Sequence, residues 1–439
     1  MQTGGTLARR VGLGALILYG IGDMVGAGIY GTIGTIAGQL GNAVWISFLV
    51  AMVAALLTGL SYASLASRHP RAAGAAYVVH RAYGRPFVSY LIGMAVAASG
   101  LTSMATASNA FALALKPSLP AALPLAAIIL LFLTALALIN FIGIRESIWA
   151  NAICTLVEVA GLVFVLIVGA RFWGSVDYLE TSTATASIPP GLVLSGAVLA
   201  FFAFIGFEDM LNVAEEVKDP VRTMPRAMVA ALVTVALLYV AIAITAVSVV
   251  PFRELGDPTR GAPFVQITGR AAPWLPPQVF QIITLFAVAN TALINFIMAS
   301  RLAYGLSRQG LLPAPLGAVH PRRQTPHIAI GCIAVLVALL ALSADLAQLA
   351  AATSLLLLGS FCVVNIALVV LQHRKGEPRG GFEIPSIIPI LGALISVVLI
   401  AARLQTGGRA PWIAAGVVVA IALLYRLLRP RIPPKPDVE

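Results

Sequence analysis

Apolar runs long enough to cross a bilayer core, about 20 residues each, recur along the whole chain. Twelve can be traced: residues 11–37, 41–66, 86–114, 121–141, 147–170, 191–216, 226–250, 275–305, 328–344, 346–371, 386–403 and 411–428. Only Ser343, Ala344 and Asp345 part the ninth from the tenth. Two runs are interrupted. The first reads IGDMVGAGIYGTIGT from Ile21 to Thr35, within a glycine-dense stretch from Gly20 to Gly38. Glycine costs about 1 kcal/mol against alanine in a helix interior, so a continuous lipid-facing helix gains nothing from this density. The sixth, from Gly191 to Pro220, breaks at Ile205-Gly206-Phe207, and Glu208 and Asp209 follow at once. Broken helices in hydrocarbon persist only where neighbouring protein or a cavity satisfies the freed backbone. A carboxylate at mid-membrane likewise faces a cavity or a partner.

Interrupted segments at matching places in two halves point to a transporter binding site. Five spans run from the first break to the second. The pattern therefore predicts an all-α membrane protein with an inverted five-plus-five repeat. Its halves cover residues 11–170 and 191–371, and two further helices cover 386–428.

Composition agrees. Of 439 residues, 59% are hydrophobic and 10% charged, against about 45–50% and about 25% in soluble domains. The net charge of +11 suggests nucleic acid in isolation, but its distribution argues for orientation in a bilayer. With a cytoplasmic N-terminus, 21 of the 28 Lys and Arg residues fall on the inner side, as the positive-inside rule requires. Both termini are then cytoplasmic and the number of spans is even. No cleavable leader is expected, because the run behind Met1–Arg10 is long and lacks a processing site. The alanine- and arginine-rich composition suggests a bacterial genome of high GC content, hence the inner membrane. Cys154, Cys332 and Cys362 are isolated in apolar segments, and the five histidines have no metal-ligand spacing. No metal, cofactor or disulfide framework is expected, and no loop carries a catalytic cluster.

Four stretches together resemble the amino acid–polyamine–organocation superfamily, specifically its bacterial amino acid permeases. They are GIGDMVGAGIYGTIG (Gly20–Gly34), LSYASLASRHPRAAGAAYVVHRAYG (Leu60–Gly84), FFAFIGFEDMLNVAEEVKDPVRTMPRA (Phe201–Ala227) and SRLAYGLSRQGLLPAPLGAVHPRRQTP (Ser300–Pro326). The resemblance implies the LeuT-type fold of twelve helices, with helices 1 and 6 broken. It also implies secondary transport of amino acids or related amines by alternating access. Proton-linked symport is the leading expectation, with sodium coupling open. An amino acid or polyamine exchanger and a non-transporting sensor are the alternatives. Substrate and oligomeric state are not specified.

A zwitterion needs a positive partner for its carboxylate and a negative one for its ammonium. The N–H groups of Ala27, Gly28 and Ile29 would open the second half of helix 1 and carry the positive end of its dipole. The carbonyls of Ala203, Phe204 and Ile205 would end the first half of helix 6 and suit the ammonium. The resemblance places substrate at Val25, Gly26, Ala27, Gly28 and Ile29, and at Phe204 to Phe207. The competing interpretation is that the glycines serve close helix packing alone. Phe207 is the favoured aromatic to line or cap the pocket. Asp23, one turn before the break, is a candidate partner for the ammonium, a cationic side chain or a coupling proton, or else a buried structural acid. Glu158 lies where some proton-coupled relatives carry lysine, and it is a candidate proton carrier. Glu208 complements the dipole of the second half-helix, and the resemblance gives it a part in gating. At the inner end, Glu215, Glu216 and Lys218 are candidates to pair with Arg68 or Arg71.

Overall fold

The computed structural model describes residues 9–71, 74–116, 119–120, 122–183, 188–257, 260, 262–343, 346–405 and 409–428. Among them the chain is helical, and its only β pairing is a parallel bridge between Val11 and Val217. Helix α1 (Leu13–Val25) is followed after Gly26 by α2 (Ala27–Leu40). Then come α3 (Val44–Arg68), α4 (Gly74–Tyr83), α5 (Pro86–Leu115), α6 (Leu125–Ile142), α7 (Ile144–Gly169) and α8 (Pro190–Phe204). A 3-10 helix, Phe207–Glu216, continues from α8. The remainder is α9 (Pro220–Val249), the short α10 (Phe252–Leu255) and α11 (Pro263–Ala271), α12 (Pro277–Arg308), α13 (His327–Ser343), α14 (Leu346–His373), α15 (Ile387–Gln405) and α16 (Ala410–Leu428).

Among the described residues, ten segments are long and apolar enough to span a membrane, and two shorter apolar helices cover 327–342 and 411–427. This is a multi-pass membrane protein. Residues 344 and 345, at the junction of the ninth and tenth expected spans, lie outside the described residues, as do Arg429, Arg431 and Lys435.

Proline sets several helix starts. Pro86, Pro190, Pro220, Pro263 and Pro277 each open a helix, where the missing N–H is no loss and the fixed φ suits the first turn. Pro220 starts α9 six residues before the apolar run at 226, so the amphipathic stretch VRTMP is helical too.

The packing is reciprocal. α1 lies against α9 and α8 lies against α3, while α3 and α9 face each other. α5 crosses α12; α5 also packs on α14 as α12 packs on α7. The outer helices α6 and α15 turn Leu131, Leu138, Leu394 and Val397 outward, as lipid-facing surfaces do.

The end of the bundle that carries Glu216 departs from the sequence expectation. Glu216 pairs with neither Arg68 nor Arg71. It meets Arg301 of α12, Nε to Oε2 3.1 Å, with both side chains fully buried. The Arg301 guanidinium also donates to Asn140 Oδ1 and, at 2.9 Å, to Ser300 Oγ. Arg68 instead pairs with Glu383. The backbone carbonyl of Glu216 accepts the N–H groups of Arg10 and Val11, both at 2.9 Å. Lys218 joins through its backbone, its N–H donating to Val11 O at 2.9 Å.

Candidate functional site

Both expected breaks exist, and they touch. Gly26 (φ −48°, ψ −151°) leaves helical geometry between α1 and α2. The N-cap residue of α2, Gly26, makes no side-chain cap, so the N–H groups of Ala27, Gly28 and Ile29 open that helix without an N-cap acceptor. In the second break Ile205 is extended and Gly206 takes φ +132°, a value that L side chains rarely adopt. The two breaks are pressed together: a Cβ on Gly28 would stand 2.8 Å from Ala203 Cα, and one on Gly206 2.9 Å from Asp23 Cγ. Close packing and an open backbone are therefore both served by these glycines.

The second half of helix 6 is the 3-10 segment rather than an α-helix. Such helices seldom exceed 3–4 residues and often mark hinges; this one has ten. Glu208 Oε2 folds back to accept the Gly206 N–H at 2.9 Å, meeting one of the donors the break exposes.

Tyr239 of α9 ties the breaks together. Its hydroxyl lies 2.6 Å from Met24 O and 3.1 Å from Ala203 O, so one O–H serves a carbonyl at each break. Its ring packs edge-on against Phe204, with centroids 5.0 Å apart. Replacing Tyr239 by phenylalanine is expected to leave two buried carbonyls short of a donor, at about 1–3 kcal/mol. Transport should slow while the fold persists; unchanged melting and unchanged uptake would exclude the tie.

A cavity of about 300 Å³ opens beside the breaks. Its wall includes Gly26, Gly28, Ile205 and Gly206 from the breaks, and Asp23, Glu208 and Asp209. α5 contributes Ser99, Ser103 and Thr106, α12 contributes Thr291 and Asn295, and α14 contributes Thr353 and Ser354. The size falls at the small end of the range for small-molecule sites, roughly 300–1,000 Å³.

A model of the amino acid permease family matches residues 12–423, nearly the whole chain. The chain belongs to that family. It is 28% identical to the branched-chain amino acid permease BcaP of Bacillus subtilis, over 90% of this chain and 88% of that one. It is 29% identical to the methylthioribose transporter of the same organism, over 88% and 87%. The vacuolar cationic amino acid transporter 4 of Arabidopsis thaliana is 30% identical over 84% of this chain, which spans 64% of the plant protein's length.

In this permease the expected site residues divide. Asp23, Gly26, Gly28, Ile205 and Glu208 line the cavity. Val25, Ile29, Ala203 and Phe204 are buried behind it; Ala27 is placed through its backbone, as the first residue of α2. Phe207 does not face the cavity. It stacks on Phe361 at 5.5 Å and meets Tyr62 edge-on at 5.7 Å, and Phe202 lines the cavity in its stead. Residue 207 follows Gly206 at φ +132°, and its ring packs toward α3 and α14.

Glu158 is not brought to the cavity either. It is fully buried in α7 behind the first break, with its carboxyl group within reach of the Asn290 side chain. Around it, Asn151 Nδ2 donates to Asn290 Oδ1 at 2.8 Å and Asn290 Nδ2 to Thr155 Oγ1 at 3.2 Å. Tyr30 Oη reaches the Glu158 backbone carbonyl at 3.2 Å. Hydropathy does not divide the polar residues Asn290, Asn295, Ser99, Thr102 and Ser103 within these spans; the fold sends Asn290 to this buried network, turns the Thr102 hydroxyl to the Ala98 carbonyl, and brings the other three to the cavity. Asp209 lines the cavity, as expected of a carboxylate in an apolar run; Tyr239 and Thr106 went unassigned, since a tyrosine or threonine in an apolar run carries no signal of the face it occupies. Among the described residues no cluster of His, Cys, Asp and Glu has the arrangement of a metal site.

Proposed function

We propose that this permease is a secondary transporter of amino acids that works by alternating access. One observation carries the proposal: two interrupted helices abut, and Gly26 and Gly28 of the first break with Ile205 and Gly206 of the second border a cavity of small-molecule size. A carboxylate suits the first turn of α2, and an ammonium suits the end of α8. Membership of the amino acid permease family and the names of its relatives favour amino acids as the cargo.

The transmembrane arrangement we infer is twelve spans with both termini in the cytoplasm, in the inner membrane of a bacterium. Residues 11–170 and 191–371 form inverted repeats and 386–428 the two trailing helices. The reciprocal packing of α1 on α9 with α8 on α3, and of α5 on α14 with α12 on α7, supports that repeat. Tyr239 and Gly206 then lie at the hinge between substrate and moving helices, and Glu208 couples occupancy to gating. Glu158, fully buried within α7, is the proposed carrier of a coupling proton.

Purified protein in proteoliposomes tests this. An amino acid substrate at ~100 times its dissociation constant should stabilise the protein by about 2.7 kcal/mol and accumulate under an inward proton gradient. Glu158→Gln should keep exchange of labelled for unlabelled substrate yet lose gradient-driven accumulation. If no amino acid stabilises the protein or enters the vesicles, the transport assignment falls. If Glu158→Gln accumulates substrate as the parent does, the proton role falls.

A further inference from the structure

A groove of about 560 Å³ lies against the first half of α9. One wall is α9 itself, between Val221 and Thr234; the other is Gly381 and Phe382, in the segment before α15. That second wall is held in place. The Phe382 N–H donates to Ser67 Oγ of α3 at 3.2 Å. Gly381 lies so close to α9 that a Cβ there would stand 3.2 Å from Val221 Cγ1. The lining changes character along its length. Arg222 and Arg226, one turn apart on one face of α9, stand at one end. Val229, Ala230 and Val233 carry the lining onward, and the exposed Leu237 extends the same face by another turn.

Among the described residues neither Arg222 nor Arg226 is in an ion pair, and no Asp or Glu lines the groove. Glu383, next to Phe382 in the chain, is taken by Arg68 and by the Gly380 N–H. Two cations one turn apart repel each other, and an anion held between them relieves that. The apolar surface beyond them suits an anion that carries a hydrocarbon chain. From Arg226 to Leu237 the helix rises about 16 Å, close to half of the roughly 30 Å hydrocarbon core, which is the depth of one leaflet. Free phosphate satisfies the cations and leaves the apolar end of the groove empty. A zwitterionic phospholipid fills the groove but brings a cation of its own. We propose that this groove binds one anionic phospholipid, with its phosphate between Arg222 and Arg226 and one acyl chain along Val229, Val233 and Leu237. No residue of this groove lines the substrate cavity, so the site goes beyond the transport assignment and does not depend on it.

Native mass spectrometry of the detergent-purified protein tests it, after incubation with equal amounts of dioleoylphosphatidylglycerol and dioleoylphosphatidylcholine. The parent should retain one phosphatidylglycerol, preferred over phosphatidylcholine about tenfold or more, since each cation beside an anionic headgroup contributes about a factor of five. Arg222→Gln with Arg226→Gln should bring that preference within about twofold of unity; both side chains are exposed, so the variant should fold. Thr234→Trp, at an exposed position in the groove wall, should displace the lipid while both cations remain. Arg322→Gln with Arg323→Gln removes two exposed charges outside the groove and should bind as the parent does. Excess sodium phosphate should not release the bound lipid. Equal retention of both lipids by the parent would overturn the site. Equal loss of preference in the two double variants would overturn it as well, because total charge and not the groove would then select the lipid. Parent-like retention by Thr234→Trp would remove the acyl-chain path, and release by phosphate would reduce the groove to a site for the free anion.

Discussion

Arg301→Leu should destabilise the protein by about 3–5 kcal/mol, the usual effect of removing one partner of a buried ion pair. Arg301 and Glu216 are both fully buried, and the guanidinium also serves Asn140 and Ser300. Without it the Glu216 carboxylate has no counter-charge and Asn140 Oδ1 loses its donor. Glu216 also anchors the N-terminal segment through its backbone carbonyl, so its displacement would spread to residues 10–11 and the bridge at Val217. The pair Arg301→Leu with Glu216→Leu should recover much of the loss, because replacing a buried pair by apolar groups of similar volume is often neutral or favourable. Melting temperatures of the purified variants in detergent give the comparison. A double variant as unstable as the single one would show that the pair's geometry, not the orphaned charge, holds this end together.

Gly206→Ala should cut transport about thirtyfold or more. A side chain forced into a sparsely populated backbone region costs on the order of 1–3 kcal/mol, and overpacking a tight contact costs about as much again. Both penalties apply: φ at Gly206 is +132°, and its Cβ would stand 2.9 Å from the Asp23 carbonyl carbon and from Cγ. Relief requires the two breaks to part, which disturbs the cavity wall at Asp23, Ile205 and Glu208. At about 1.4 kcal/mol per factor of ten, a penalty of roughly 2 kcal/mol accounts for the predicted loss. Gly331→Ala is the matched control, since nothing lies within 4 Å of its Cβ position; it should transport within about twofold of the parent. Initial uptake rates, with melting temperatures as a check on folding, distinguish the two. Equal rates for Gly206→Ala and Gly331→Ala would show that this backbone conformation is not needed for transport.

The two breaks were legible because helix interruption is a local property. Gly26 and Gly206 are marked by glycines and acids in otherwise apolar runs, and the structure interrupts the helices there. Helix starts were less legible: α9 begins at Pro220, where polar residues hide a helical turn from an apolar-run criterion. The form of the segment after the second break was not legible at all. An α half-helix was expected; the segment is 3-10, its first residue Phe207 joins the aromatic cluster with Tyr62 and Phe361, and Phe202 and Ile205 line the cavity. Hydropathy does not report which face of a broken helix a side chain occupies.

Charge was legible as topology and not as pairing. Arg301 counted among the inner-side cations, and nothing in SRLAYGLSRQG separates it from Arg308. Only the crossing of α12 with the 3-10 segment and α6 buries Arg301 against Glu216 and Asn140 while Arg308 remains at the exposed helix end. The sequence by itself determined the membrane-spanning helices, the positions of both breaks and the family. Burying apolar runs and interrupting a helix depend on residues adjacent in the chain. The tertiary structure alone decided that the breaks touch, that Tyr239 joins them, that Asp23 and Asp209 border one cavity, and that Glu158 stays behind it. Each of those contacts joins residues from helices far apart in sequence, and helix rotation and crossing set it.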